Sequence, residues 1–172
     1  MMKTIGIRDN ICIKSEKTTC GSKMLENFIS PYNATIIDKL NNANIEIKKV
    51  SMSEFGLKED EFTQEFIKNN QGATVVTTDL KGDIANTCKK NSLFGIKPTF
   101  GLVSRYGFVS SAPSLEQIGV VGKSIEDCKE VLDIIKGYDE KDSGSVNPTE
   151  YIEKENIKIG CVGAAWHAVR VA

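Results

Sequence analysis

At 172 residues, with 40% hydrophobic and 26% charged side chains, the chain suffices for one domain with a real core and is neither a disordered tract nor two full domains. A formal net charge of -1, with lysines scattered as at Lys14, Lys17, Lys23, Lys89 and Lys90, argues against direct nucleic-acid binding, which needs concentrated positive charge. Its longest apolar runs, residues 73–76 and 131–135, are far too short to cross a bilayer, and the opening Met1-Met2-Lys3-Thr4-Ile5-Gly6 carries no secretion signal, so a cytoplasmic location is expected.

Residues 5–13 have strand character, with Ile5, Ile7, Ile11 and Ile13 interrupted by a polar turn at Arg8-Asp9-Asn10. Ser22 is placed to cap a helix through Met24, Leu25 and Phe28 that ends at Pro31, and Asn33 to cap a second with Ile36, Ile37 and Leu40 on one face. Asn44 ends that helix, and residues 45–50 alternate as a strand. Residues 53–70 read as a charged helix with Phe55, Phe62, Phe66 and Ile67 as its apolar stripe, stopped at Gly72 before a short strand over 73–77. A polar helix follows from Gly82 through Ile84, Thr87 and Cys88 to Asn91. Residues 94–122, punctuated by Gly and Pro, read as loops and short strands. Ser124 answered by Asp127 forms a capping box, opening a helix with Cys128, Val131, Leu132 and Ile135 on one face and Gly137 at its end. Residues 138–147 form a polar connector without a core-forming pattern, and residues 157–162 look like one more strand. Alternating helices and strands of this kind indicate an α/β sheet rather than a bundle. The domain is assigned to residues 1–162, with 163–172 an atypical tail.

Cysteines stand at 12, 20, 88, 128 and 161, an odd number without C-x-x-C spacing, and are expected to be free thiols packed as small apolar groups. The single histidine, His167, has no clustered ligands, so no metal or other cofactor is expected.

Three stretches carry a resemblance: Asp9-Asn10-Ile11; residues 18–28, from Thr18-Thr19-Cys20-Gly21-Ser22 to Phe28; and residues 93–119, with Lys97-Pro98-Thr99, Ser104-Arg105-Tyr106-Gly107 and Ser114-Leu115-Glu116-Gln117-Ile118-Gly119. Together they closely resemble the amidase signature family, in particular its branch of amidotransferase A subunits. The resemblance runs from Ile5 to about Val146 and implies a mixed β-sheet flanked by helices, here minimised, without the family's N-terminal helical region and long C-terminal half.

The resemblance also implies a catalytic triad of serine, bridging serine and lysine, in which a lysine able to shed its proton activates the nucleophile. Each position reads differently here. Arg8 stands at the lysine position, and a guanidinium, which offers donors and no acceptor, cannot serve as the base. Counting back from Lys97-Pro98-Thr99 without a gap, Asp83 stands at the nucleophile position of a segment reading Thr78-Asp79-Leu80-Lys81-Gly82-Asp83. The glycine-serine loop of the bridging serine has no counterpart between Leu57 and Thr78. The expectation is therefore no enzyme: Arg8 and Asp83 are remnant active-site positions, and they would converge as a salt bridge plugging the old pocket or would each be solvated. Lys97-Pro98-Thr99 and Ser104-Arg105-Tyr106-Gly107 are read as architectural.

Three functions compete on this reading. The first is an inactive amidase-like module that binds or inhibits another protein, in its narrowest form a mobile-element inhibitor of host defence such as an anti-CRISPR. The second is a degenerate accessory component of a tRNA-dependent amidotransferase. The third is an enzyme with replaced chemistry, for which Cys161 with His167 is the conceivable pair. A protein partner or self-association is expected, because trimming a larger domain uncovers once-buried apolar surface.

Overall fold

Five strands form, and hydrogen bonding gathers them into one mixed sheet. The computed structural model describes residues 4–55, 61–70 and 72–147. Strands β1 (Thr4–Arg8), β2 (Glu46–Val50), β3 (Thr74–Asp79), β4 (Phe94–Ile96) and β5 (Gln117–Gly122) lie in the order β2-β1-β3-β5-β4. β1 runs parallel to both β2 and β3, whereas β5 is antiparallel to β3 and β4. Helices α1 (Thr35–Asn42) and α4 (Ile125–Ile135) cover one face; α2 (Glu61–Asn69) and α3 (Asp83–Asn91) cover the other. β3 shows why both layers are needed. Val76 enters the cluster with Ile36, Ile37, Leu40 and Val131, while its neighbour Val75 enters the one with Ile67, Ile84 and Cys88. All six β3 residues are buried, as expected of a central strand covered on both sides. This is the α/β architecture the sequence implied.

Local differences have local causes. β1 ends at Arg8, where the Ile11 amide donates to the Arg8 carbonyl at 3.0 Å; Ile11 then bridges Phe108 instead of continuing the strand. The helix expected through Phe28 is only a 3-10 turn, Lys23–Leu25, in which Ser22 accepts from the Met24 amide at 3.3 Å. An antiparallel bridge between Lys17 and Ile29 and a bond from the Thr18 amide to the Phe28 carbonyl (3.0 Å) close the stretch into a hairpin, leaving Met24 95% exposed. Asn33 does not cap α1. Its Oδ1 accepts from the Lys14 amide at 2.7 Å and its Nδ2 donates to Asp38 at 2.8 Å, so Ala34 becomes the cap. The stripe expected over residues 53–70 is narrower than its aromatics suggested: α2 buries Thr63 and Ile67 and leaves Phe62 exposed. The Ser124 box forms as anticipated, with the hydroxyl accepting from the Asp127 amide at 3.1 Å and donating to its carboxylate at 2.5 Å. Residues 157–162, the tail, Cys161 and His167 lie outside the described residues.

The stretch of residues 138–147 is more than a connector. Asp139 Oδ2 accepts from Ser104 Oγ at 2.5 Å and from Thr35 Oγ1 at 2.6 Å, tying it to α1 and to the loop after β4. Asp142 accepts from the Arg105 amide at 2.8 Å, and its Oδ1 lies 3.6 Å from the Arg105 guanidinium, which also donates to the Pro113 carbonyl and lies 4.4 Å from the centre of the Phe100 ring. Tyr106 packs on Tyr32 with ring centroids 5.4 Å apart. These contacts give Ser104-Arg105-Tyr106-Gly107 a bracing role.

Burial pushes the Asp139 carboxyl up, but hydrogen bonds from Ser104, Thr35 and the Lys141 amide outweigh it and hold the group below the usual carboxylate range. A depressed folded pKa stabilises the protein above the unfolded value, and that contribution fades as pH falls through the folded one. The gap in melting temperature between the wild type and Asp139→Asn is therefore expected to close below about pH 4. A gap that stays constant down to about pH 3 would contradict this account of Asp139.

Gly107 is the most constrained glycine of that loop. Its φ is +78°, and an added Cβ would lie 2.4 Å from the Ala34 Cα. Both the left-handed backbone and the collision oppose any side chain. Gly107→Ala is expected to lower the unfolding free energy by roughly 2–3 kcal/mol in urea titration.

Candidate functional site

β1 and β3 run parallel, so their carboxyl ends open side by side. In sheets of this type the crevice beyond those ends is where functional groups gather. β1 delivers Arg8 and the turn residues Asp9 and Asn10; β3 delivers Thr77, Thr78 and Asp79; Asp83 and Thr87 come from the first two turns of α3, and Thr63 from α2. The two residues singled out from sequence thus meet at one place: Arg8 and Asp83 line the same cavity of about 10 Å³, with Thr63, Thr77, Thr78, Ile84 and Thr87.

They do not pair with each other. Arg8 is buried, and its Nη1 donates to Thr77 Oγ1 (3.3 Å), Thr78 O (3.2 Å) and Thr78 Oγ1 (3.2 Å). The Asp83 carboxylate instead turns back on its own helix start, accepting from the Leu80 amide at 3.0 Å and the Lys81 amide at 3.3 Å. No Arg8–Asp83 ion pair is present among the described residues. The reason is local: Leu80 and Lys81, in the turn that leads into α3, present their amides three and two residues before Asp83, within reach of its carboxylate, while Asp79 takes the helix-start amides of Gly82 and Ile84.

Two further carboxylates organise the site. Asp79, 1% exposed, accepts from the Gly82 amide (3.1 Å) and Lys97 Nζ (2.5 Å) through Oδ1, and from the Ile84 amide (3.0 Å) through Oδ2. It caps α3 and fastens that helix to the segment after β4. On the far side, Asp9 accepts from both the amide (3.1 Å) and the hydroxyl of Thr19 and lies 3.1 Å from Lys49 Nζ. Asn10 Nδ2 donates to Thr78 Oγ1 at 3.2 Å. Sequence reasoning matched Asp79 and Asp9 to motifs without giving them partners, and missed Lys49. Its signal was available: Lys49 shares the inward side of β2 with Ile45 and Ile47, where a cation needs a counter-charge.

Three of the described thiols are held in the protonated form. Burial, then the neighbouring charge of Asp9, pushes Cys20 up to about 12; burial pushes Cys88 up to about 11 and Cys128 to about 12, so each stays protonated. Cys12, Cys20, Cys88 and Cys128 are all buried and free. Among the described residues no three His, Cys, Asp or Glu side chains are grouped to hold a metal ion, and no helix is long and apolar enough to cross a membrane.

A mixed sheet with paired helical layers and a crevice at the carboxyl ends of β1 and β3 defines an α/β protein. The family follows from comparison with known proteins. The amidase family pattern matches residues 4–61 and 72–166, and the chain belongs to that family. It is 37% identical over 171 residues to the A subunit of glutamyl-tRNA(Gln) amidotransferase from Lachnoclostridium phytofermentans, covering 86% of this chain and 35% of that protein. The protein of the same name from Ruminiclostridium cellulolyticum is 40% identical over 167 residues, covering 83% and 34%. The chain thus spans about a third of the length of these relatives. The crystal structure of the corresponding Thermotoga maritima protein superposes with a TM-score of 0.72 at 27% identity, covering 84% of this chain and 37% of that one. An amidase family protein of Bacillus anthracis shares the fold at 19% identity and a TM-score of 0.73, covering 83% and 34%.

Proposed function

We propose that this chain is a catalytically inactive amidase-fold protein that works by binding another protein. The carrying observation is the crevice itself. Arg8, fixed by Thr77 and Thr78, and Asp83, held by the amides of Leu80 and Lys81, bound a cavity of about 10 Å³. That space holds about one water, and a carboxamide has three heavy atoms. A guanidinium offers only donors, so Arg8 cannot serve as the base for a nucleophile. Asp83 would set a negative charge where an oxyanion needs donors. A fluorophosphonate probe, which captures activated serine or threonine hydroxyls, is expected to leave the protein unlabelled. Labelling of a crevice hydroxyl that glutamine suppresses would overturn the proposal.

The similarity to amidotransferase A subunits favours a second reading, an accessory component of a tRNA-dependent amidotransferase. Tagged chain recovered from its native host separates the two. Capture of other amidotransferase components supports the accessory reading; capture of a defence or nuclease complex supports the inhibitory form, in its narrowest version an anti-CRISPR. Gene neighbours give the same discrimination.

A further inference from the structure

We infer that the outer edge of β2 is a self-pairing surface, on which a second copy of this chain adds its own β2 antiparallel about a two-fold axis through Ile47. Among the described residues β2 pairs with β1 alone, and none of them pairs with its other side. An open edge offers unpaired backbone groups to another strand. The direction of those groups follows from one bond. The Asp9 amide donates to the Val50 carbonyl at 2.9 Å, so Val50 turns its backbone groups toward β1. Groups two residues apart in a strand point the same way; Lys48 and Glu46 therefore also face β1, while Ile47 and Lys49 face outward.

That parity selects a register. With the axis on Ile47, the two Ile47 residues form a hydrogen-bonded antiparallel pair and exchange both N–H···O bonds. Each Lys49 amide then meets the outward carbonyl of Ile45 in the other copy. The Ile45 amide is already occupied, donating to Leu40 at 3.3 Å, and is not required. Side chains agree with the backbone. Glu46 of one copy falls opposite Lys48 of the other, twice, at the non-hydrogen-bonded positions where side chains come closest. Both are half exposed and already 3.5 Å apart within the strand, so neither must be desolvated from a core to pair across the axis. On the opposite face the half-buried Ile47 side chains meet each other. Shifting the axis to Lys49 sets the two Lys49 residues against each other and leaves Glu46 unmatched. Charge, apolar contact and hydrogen-bond direction thus favour the Ile47 register.

Sedimentation equilibrium of the 172-residue chain over a concentration series tests this, with folding checked by circular dichroism. A species of twice the 18.9 kDa chain mass is expected. Lys48→Glu places like charges opposite each other and is expected to weaken the dimer by about tenfold or more. Combining it with Glu46→Lys restores opposite charges in the same register and is expected to recover most of the affinity. A strictly monomeric wild type, or a dimer indifferent to Lys48→Glu, would overturn the inference.

Discussion

Asp79→Ala is expected to destabilise the protein by about 4 kcal/mol, through the buried Ile84 amide and the half-buried Gly82 amide left without an acceptor and the loss of the Lys97 contact. For a chain of this size that lowers the melting temperature by roughly 8–16 °C. The side chain is 1% exposed and accepts from Gly82, Ile84 and Lys97, so water cannot replace those bonds without opening the helix start. Lys97→Met is the informative contrast. Lys97 is 37% exposed, and its removal leaves Asp79 with both amide donors, so about 1 kcal/mol is expected. Hydrogen exchange should locate the Asp79→Ala effect in the first turn of α3. Equal losses for the two variants would mean that the ion pair, rather than the cap, holds this corner.

Arg8→Met is the second large expectation, at about 3 kcal/mol, seen as a lower urea midpoint with an unchanged slope. Arg8 is buried and bridges the ends of β1 and β3 through Thr77 and Thr78. Methionine refills the aliphatic volume but returns no donor to the Thr78 carbonyl. Arg8→Lys should fall between, because an ammonium reaches fewer of these acceptors than a forked guanidinium. An unchanged melting curve for Arg8→Met would remove Arg8 from the structural core of this account.

Much of this was legible because it rests on local rules. The Ser124 box, the Ile36–Ile37–Leu40 face and the Cys128–Val131–Leu132–Ile135 face follow from spacing alone, and each is found. The meeting of Arg8 with Asp83 at one crevice was legible through resemblance, since their positions lie 75 residues apart and no local pattern links them. What spacing alone could not settle was competition among partners. Asn33 had a capping residue's chemistry, yet Lys14 and Asp38 claimed its side chain. Asp83 had a guanidinium across the cavity, yet the amides of Leu80 and Lys81 were nearer in sequence and already oriented. Met24, Leu25 and Phe28 had helical spacing, yet the Lys17–Ile29 bridge closed the segment before a helix could extend. The acidic residues at 139 and 142 read as part of a polar connector because their partners, Thr35 at the start of α1 and Ser104 and Arg105 in the loop after β4, are distant in sequence.

Loss of chemistry with retention of framework is the central claim, and ammonia release measures it most directly. The purified chain, incubated with glutamine, asparagine and simple amides, is expected to release no more ammonia than buffer alone, and Asp83→Ala to behave identically. Release above buffer that disappears in Asp83→Ala would show a functioning catalytic centre in the crevice and contradict the account.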